Sequence, residues 1–154
     1  MLYYQYHLID LEIMSKVILV AELNANELSL ENAKSQVLFH KGEVFTFFDE
    51  GCTRYVYTNA SNTLVIKFPK TNCQHFNTEE NEIYQNASDE KKSKLASTIL
   101  VNGLIEQEFC TPIKFGGKKL TIPQRLFAGK CRNEVGWNKD GELVCFDLDE
   151  YLKY

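Results

Sequence analysis

The residues best suited to chemistry lie in the stretch 47–67, around Gly51 and Lys67. The pattern predicts two strands around a glycine turn at Gly51, a polar turn at 59–62, and a third strand that carries Lys67. Two antiparallel strands that share a glycine turn can fold over a polyanion, and a lysine on the next strand can reach the phosphates from below. The stretch therefore suggests a nucleotide-binding site.

Both residues also have an ordinary explanation. Gly51 can supply the positive φ of a simple hairpin turn. Lys67 can point to solvent from an edge strand, although it lies between Ile66 and Phe68. Alternation along the strand places Lys67 on the face of Val65, opposite those two neighbours. Because an unpaired buried ammonium is costly, a buried Lys67 would need a partner.

Glu80 is the candidate partner of Lys67. The segment 75–87 has apolar residues at helical spacing, and Glu80 falls in the middle of that apolar face. A carboxylate in such a place needs a partner, and the neighbouring strand offers Lys67. A local explanation competes with this one, since Asn77 as N-cap and Glu80 three residues later form a capping-box pattern. The sequence leaves both explanations open.

Before this stretch, the sequence predicts a strand and a helix. Residues 16–22 are a compact apolar run rich in β-branched residues, typical of a buried strand. Ser29 as N-cap, apolar residues at helical spacing as far as Leu38, and Gly42 as a stop predict a helix. We expect residues 1–42 to be an N-terminal extension packed on a domain that spans 43–154.

After residue 87, the pattern predicts further elements. Ser88 begins a second helix with Leu95 and Ile99 on its buried face and Gly103 just past its end. Segments 109–115 and 119–126 predict a hairpin around residues 116–117, and 127–133 predicts a loop. Residues 138–141 are a strong turn signal, followed by a strand over 142–148 that leads into an acidic cluster. The acidic residues are Asp147, Asp149 and Glu150.

Composition limits the class of protein. A chain of 154 residues with 44% hydrophobic and 25% charged residues is typical of one soluble globular domain. The net charge of −4 argues against a nucleic-acid-binding surface. No apolar run approaches the roughly 20 residues that span a bilayer, and the first residues lack a signal-peptide pattern. Five cysteines without a CxxC pair predict reduced thiols, so we expect a cytoplasmic protein.

In their order along the chain, these segments resemble a reduced protein-kinase fold. Residues 51–57 resemble a glycine-rich loop with one glycine followed by Arg-x-Val-Tyr, and 65–67 resemble the strand with the phosphate-binding lysine. Residues 77–84 are similar to the helix that supplies the glutamate partner of that lysine. Residues 143–149 resemble the strand and metal-binding Asp-Phe-Gly segment. The nearest resemblance is to very small kinase-like proteins of bacteriophages and mobile elements.

The resemblance covers 44–151 and implies an α+β fold. It implies an antiparallel sheet with packed helices, like a kinase N-lobe with a strongly truncated C-terminal part. It also implies ATP and Mg²⁺ as ligands, with Lys67 on the α- and β-phosphates and held by Glu80. The implied nucleotide-binding residues are Gly51, Arg54, Val56, Lys67 and Glu80. The implied metal ligands are Asp147 and Asn133.

Departures from the family pattern shape the functional hypothesis. Gly51 stands alone where the full loop has three glycines, 148–149 read Leu-Asp instead of Phe-Gly, and no His-Arg-Asp motif occurs. We therefore expect a catalytically impaired kinase-like protein that binds nucleotide and acts mainly through a protein partner, rather than as an enzyme. One alternative is a minimal ATP-dependent kinase that needs a partner. Another is an inhibitor or host-interaction protein of a phage or mobile element that uses the fold as a scaffold.

Overall fold

A curled, mostly antiparallel sheet of seven strands forms the body of the molecule. The computed structural model describes residues 17–20 and 33–148, without the side chains of 17, 115 and 116. The strands are β1 (Val17–Leu19), β2 (Val37–His40), β3 (Glu43–Glu50), β4 (Arg54–Asn59), β5 (Leu64–Pro69), β6 (Thr98–Val101) and β7 (Leu104–Glu108). Their order is β1-β2-β3-β4-β5-β7-β6, and only β1 and β2 run parallel. A short 3₁₀ helix, Ala33–Ser35, precedes β2.

A smaller sheet and four helices complete the described fold. The strands are β8 (Thr111–Pro112), β9 (Val135–Trp137) and β10 (Leu143–Cys145), in the order β10-β9-β8. The helices are α1 (Gln74–Asn86), α2 (Asp89–Lys92), α3 (Ile113–Gly116) and α4 (Ile122–Lys130). The predicted α+β class with an antiparallel sheet and packed helices is confirmed. Among the described residues, no helix is both long enough and apolar enough to cross a membrane.

The main core lies on one face of the large sheet. Alternation along β5 places Ile66 and Phe68 in this core, where they pack with Tyr57 and Phe45. The sheet curls far enough for β2 to meet β7, although three strands lie between them. At this meeting point the Glu106 carboxylate accepts hydrogen bonds from the last residue of β2 and from the first residue of the β2–β3 turn. The donors are His40 Nε2, at 2.8 Å, and Lys41 Nζ, at 2.9 Å.

A second core joins α1 and α4 to the small sheet. The side chains of this core are almost completely buried. They belong to Ile83, Leu95, Ala128, Cys131, Val135, Cys145 and Leu148. The backbone of 94–96 also bonds β10 directly: Ala96 N donates to Cys145 O at 2.7 Å, and Cys145 N donates to Lys94 O at 2.9 Å. The end of the described chain is therefore held against the segment that leads into the large sheet.

Several predicted elements are present. The hairpin around Gly51 is formed by β3 and β4, the strand over 64–68 is β5, and the helix over 75–87 is α1. The predicted strand over 16–22 is confirmed at β1; residue 16 and residues 21–22 lie outside the described residues. The 138–141 turn is confirmed, with Gly141 N donating to Asn138 O and Gly141 at a φ of 75°. The strand after it is shorter than predicted and ends at Cys145. Asp149 and Glu150 lie outside the described residues.

The predicted helix before Gly42 is wrong over its C-terminal part. Residues 37–40 are strand β2, and only 33–35 are helical, while 29–32 lie outside the described residues. Lys41 and Gly42 both have positive φ and form the two-residue turn between β2 and β3. Gly42 therefore ends a strand. Both β1 and β2 belong to the same sheet as β3, and the proposed division at residue 42 stays a prediction.

The second predicted helix is too long. Ser88 caps it as predicted, but α2 ends at Lys92, and residues 98–101 form strand β6. Ile99, predicted to be buried, is 51% exposed, while Leu95 is buried. Gly103 lies in the β6–β7 turn with a φ of 80°. The run Thr-Ile-Leu-Val has the β-branched character typical of a strand, and pairing with β7 outweighs the helical spacing.

The hairpin predicted over 109–126 is also wrong, and the loop predicted over 127–133 is confirmed only at 131–133. The small strand β8 is followed by α3, and 122–130 form α4. The Thr121 hydroxyl accepts from Gln124 N, and the Gln124 side chain accepts from Thr121 N, which completes a capping box. Pro123 lies in the first turn, where it needs no hydrogen-bond partner for its nitrogen. Pro123 therefore marks the start of a helix.

Candidate functional site

A cavity of about 970 Å³ lies between the large sheet and the segments around the small sheet. Its walls include the β3–β4 hairpin, the non-core face of β5, the end of β7, and residues 132–134 and 146–148. We refer to this cavity as the cleft. Its volume is at the upper end of the range typical of small-molecule sites.

Lys67 lies in the wall of the cleft and is paired with Glu80. Lys67 is only 5% exposed, and its Nζ lies 2.7 Å from Glu80 Oε1. The same ammonium donates to the carbonyl oxygen of Phe146 at 2.5 Å. The predicted Lys67–Glu80 contact is therefore present, and the alternative that Lys67 points to solvent is wrong.

Helix α1 places Glu80 by docking against β5. Its N-cap residue is Cys73, so Asn77 lies inside the helix and not at its start. The Asn77 amide donates to Lys67 O at 3.0 Å and to Gly103 O at 2.9 Å. The local capping-box explanation of Glu80 is therefore wrong. Asn77 instead fixes α1 on the backbone of the strand that carries Lys67.

The Glu80 carboxylate is the centre of a buried network. It is 1% exposed and accepts from Gln107 Nε2 at 3.2 Å and from Leu148 N at 3.4 Å, in addition to Lys67. Its second oxygen contacts the Arg54 guanidinium. A carboxylate with two cations and two neutral donors has the partners that burial requires.

Arg54 links this network to Asp147. Its Nη2 lies 2.5 Å from Asp147 Oδ1, while Nη1 contacts Glu80 and lies 3.4 Å from Asn77 Oδ1. The Asp147 side chain is 41% exposed and faces the cleft. The two cations and two carboxylates therefore form a chain from the buried Lys67 to the open Asp147.

Burial and charge shift the protonation of two groups in the cleft. Burial and, to a smaller extent, the Arg54 guanidinium lower the pKa of Lys67 to about 7, although the Asp147 carboxylate opposes this shift. Partial burial raises the pKa of Glu134, and the Asp147 carboxylate raises it further. Phe146 N donates to Glu134 O at 3.0 Å, so Glu134 lies next to the backbone segment that carries Asp147.

The predicted loop residues also line the cleft. Gly51 N donates to Arg54 O at 2.9 Å, which closes the hairpin turn above the cavity. Gly51 does not have a positive φ, so that expectation is wrong, and a Cβ at this position would meet no atom within 4 Å. Val56 lies opposite Lys67 in the β4–β5 pair. Its side chain contributes apolar surface to the cavity wall.

Asn133 lies on the opposite wall from the hairpin. It follows α4 with a φ of 63°, and its backbone nitrogen donates to Ala128 O at 2.7 Å. This conformation is one that asparagine tolerates better than most residues. The chain therefore turns just after α4 and brings Asn133 and Glu134 to the same cavity as Asp147.

These oxygen donors suit Mg²⁺ that arrives with a phosphate ligand. Within the described ranges, no group of three or more His, Cys, Asp or Glu side chains forms a metal site. Mg²⁺ commonly uses one or two carboxylates together with substrate phosphates and waters. Asp147 and the amide oxygen of Asn133 supply that kind of incomplete set.

The structure brings the predicted site residues together, although their roles stay predictions. All of them line the cleft except Glu80, which lies behind Lys67. Sequence reasoning missed Gln107 and Glu134. No sequence pattern indicated a site role for Gln107, because it lies in a strand of mixed polar and apolar residues. Glu134 could have been found from its position next to Asn133, a predicted metal ligand.

The comparisons with known proteins add no relative to this picture. Comparisons with models of protein families, with curated proteins and with solved structures found no match to the chain. The functional argument therefore starts from the cleft and its residues.

Proposed function

We propose that the cleft binds a nucleoside triphosphate together with Mg²⁺, and that the protein is a catalytically impaired kinase-like module that acts through a protein partner. The observation that carries this proposal is the buried Lys67–Glu80 pair at the cleft wall, joined through Arg54 to the open carboxylate of Asp147. The resemblance of the sequence to a reduced protein-kinase fold favours ATP as the nucleotide.

The lining of the cleft supports a ligand with an anionic and an apolar end. Lysines 114 and 118 lie in its wall together with Lys67 and Arg54, and these cations can contact phosphate groups. Carboxylates also line the cleft, and Mg²⁺ would neutralise part of their charge beside the phosphates. Val56 and Val65 provide neighbouring apolar surface on which a base could pack.

We infer impaired catalysis because the described chain offers few residues that could position a phosphoryl acceptor. Phosphoryl transfer depends mainly on positioning and on neutralising charge. The connection between α4 and β9 is only 131–134, Cys-Arg-Asn-Glu, and it contains no aspartate that could serve as a base in the family pattern. A partner protein would have to supply the missing surface for an acceptor.

Glu134 favours the minimal kinase as a second candidate function. A carboxyl whose pKa is raised beside a proposed metal ligand is the type of group that takes up a proton during transfer. In this alternative Glu134 would accept the proton of an acceptor hydroxyl that a partner holds in the cleft.

Nucleotide binding can be tested by calorimetry and thermal unfolding with Mg·ATP. Ligand at one hundred times its Kd should stabilise the protein by about 2.7 kcal/mol. We expect Asp147→Asn to weaken binding of Mg·ATP, while Asp140→Asn, an exposed change in the 138–141 turn, binds as the unchanged protein does. No heat of binding and no thermal shift at millimolar Mg·ATP would refute the proposal and favour the scaffold alternative.

An assay of phosphoryl transfer distinguishes the impaired nucleotide-binding module from the minimal kinase. Radiolabelled ATP should leave no label on the protein or on a lysate if the module is impaired. Label transfer that is lost in Glu134→Gln would support the minimal kinase instead.

A further inference from the structure

We propose that Arg54 is a switchable counter-ion of Asp147: it holds this carboxylate in the contact seen here and releases it to Mg²⁺ when phosphates enter the cleft. This inference rests on the proposed function and assigns Arg54 a positioning role within that site. The guanidinium would exchange the Asp147 carboxylate for phosphate oxygens of the nucleotide.

The position of Arg54 suits such an exchange. It is the first residue of β4, directly after the hairpin tip that covers the cavity. Its side chain reaches inward to Glu80 and outward to Asp147, and it also lines the cleft. A guanidinium forms paired hydrogen bonds equally well with carboxylate and with phosphate oxygens.

The charges explain why Arg54 and Mg²⁺ compete. When Lys67 is protonated, Lys67 and Arg54 carry two positive charges, and Glu80 and Asp147 carry two negative charges, so these four groups are balanced. A divalent cation on Asp147 would lie next to the guanidinium and would be repelled by it. A phosphate group relieves this repulsion, because it offers the guanidinium a new anionic partner. Arg54 therefore disfavours the binding of Mg²⁺ alone to Asp147 and permits Mg²⁺ to bind together with the nucleotide.

Only one end of the Arg54 guanidinium needs to move. The contacts of Glu80 with Lys67, Gln107 and Leu148 all involve Oε1, so Nη1 stays on the buried Oε2 while Nη2 exchanges Asp147 for phosphate. Asp147 is the exposed end of the chain of charges, at 41% exposure, so water and ligands reach it. The buried Lys67–Glu80 pair is thus the fixed half of the network, and the Arg54–Asp147 pair is the exchangeable half.

Mn²⁺ binding followed by electron paramagnetic resonance tests this inference without any need for turnover. Without nucleotide, Arg54→Gln should bind Mn²⁺ at least about tenfold more tightly than the unchanged protein, since the competing cation is gone. The gain should disappear in the double variant Arg54→Gln, Asp147→Asn. Arg125→Gln, an exposed arginine change on α4, should bind Mn²⁺ as the unchanged protein does.

A second measurement uses the unchanged protein and so does not depend on the folding of a variant. The guanidinium NMR signals of Arg54 should move when Mg²⁺ and a non-hydrolysable ATP analogue are added together. Signals that stay the same although the analogue binds would overturn the inference, as would equal Mn²⁺ affinities for the unchanged protein and a folded Arg54→Gln. Either result leaves the proposed function standing. Failure of the analogue to bind at all would overturn both, even if Arg54→Gln gains Mn²⁺ affinity.

Discussion

At the scale of single residues, the burial of Glu80 has the largest energetic consequence. Its carboxylate neutralises two cations, Lys67 and Arg54, in a place where water does not reach it. A buried ion pair adds little net stability over apolar packing, but breaking it leaves a charge without a partner. The stability of the molecule therefore depends on Glu80 more than on any exposed charge of α1.

We predict that Glu80→Gln lowers the free energy of unfolding by about 3–5 kcal/mol, because two buried cations lose their shared counter-ion. Urea denaturation followed by circular dichroism measures the change. Glu82→Gln is the matched control, since Glu82 is exposed on the same helix, and its effect should stay within about 0.5 kcal/mol. Equal effects of the two substitutions would contradict the central role of Glu80.

At the scale of elements, the small sheet depends on a close approach of two backbones. Gly136 in β9 pairs with Pro112 in β8. A Cβ added to Gly136 would lie 2.7 Å from Thr111 O and 3.0 Å from Cys110 Cβ. These neighbours are backbone and a short side chain, so they cannot move aside easily.

We predict that Gly136→Ala destabilises the protein by about 1–3 kcal/mol through this overpacking. Gly129→Ala is the control, because a Cβ at this helical position meets no atom within 4 Å. It should raise stability by up to about 1 kcal/mol, since alanine favours a helix. Thermal unfolding of the two variants gives the comparison. A neutral Gly136→Ala would show that β8 and β9 can separate without cost.

At the scale of the whole molecule, Glu106 joins distant parts of the curled sheet. Burial raises the pKa of its carboxyl, but the hydrogen bonds from His40 and Lys41 outweigh burial, so the pKa lies below 4.5. A carboxyl with a lowered pKa in the folded state adds stability above its unfolded pKa. This stability is lost as the pH falls through the folded pKa.

We therefore predict that the free energy of unfolding falls as the pH is lowered from about 6 to about 3, and that Glu106→Gln weakens this dependence. Urea denaturation at several pH values in this range measures both slopes. Glu142→Gln removes an exposed carboxylate from the turn before β10 and should keep the original slope. A slope unchanged in Glu106→Gln would mean that other carboxylates dominate acid unfolding.

Local sequence patterns predicted one part of the site, and long-range contacts account for the rest. Alternation along β5 and the helical face of α1 are local patterns, and they suggested a Lys67–Glu80 pair, although the capping-box pattern at Asn77 offered a local explanation of Glu80 as well. The contact between Arg54 and Asp147 joins residues 93 positions apart, and no local pattern carries that information. Helical spacing predicted a helix where β6 lies, and the pairing of its β-branched residues with β7 outweighs that spacing. The hairpin predicted over 109–126 left out the capping box of Thr121 and Gln124, with which α4 begins.

The bond from Lys67 to the carbonyl of Phe146 has a consequence for the order of synthesis. It spans 79 residues and joins β5 to the segment just after β10. A nascent chain that has been translated as far as α4 already contains Lys67 and Glu80, but it lacks Phe146, Asp147 and the backbone nitrogen of Leu148. On the ribosome, the large sheet can therefore form first. The wall of the cleft that carries Asp147 is added only when residues 143–148 have emerged.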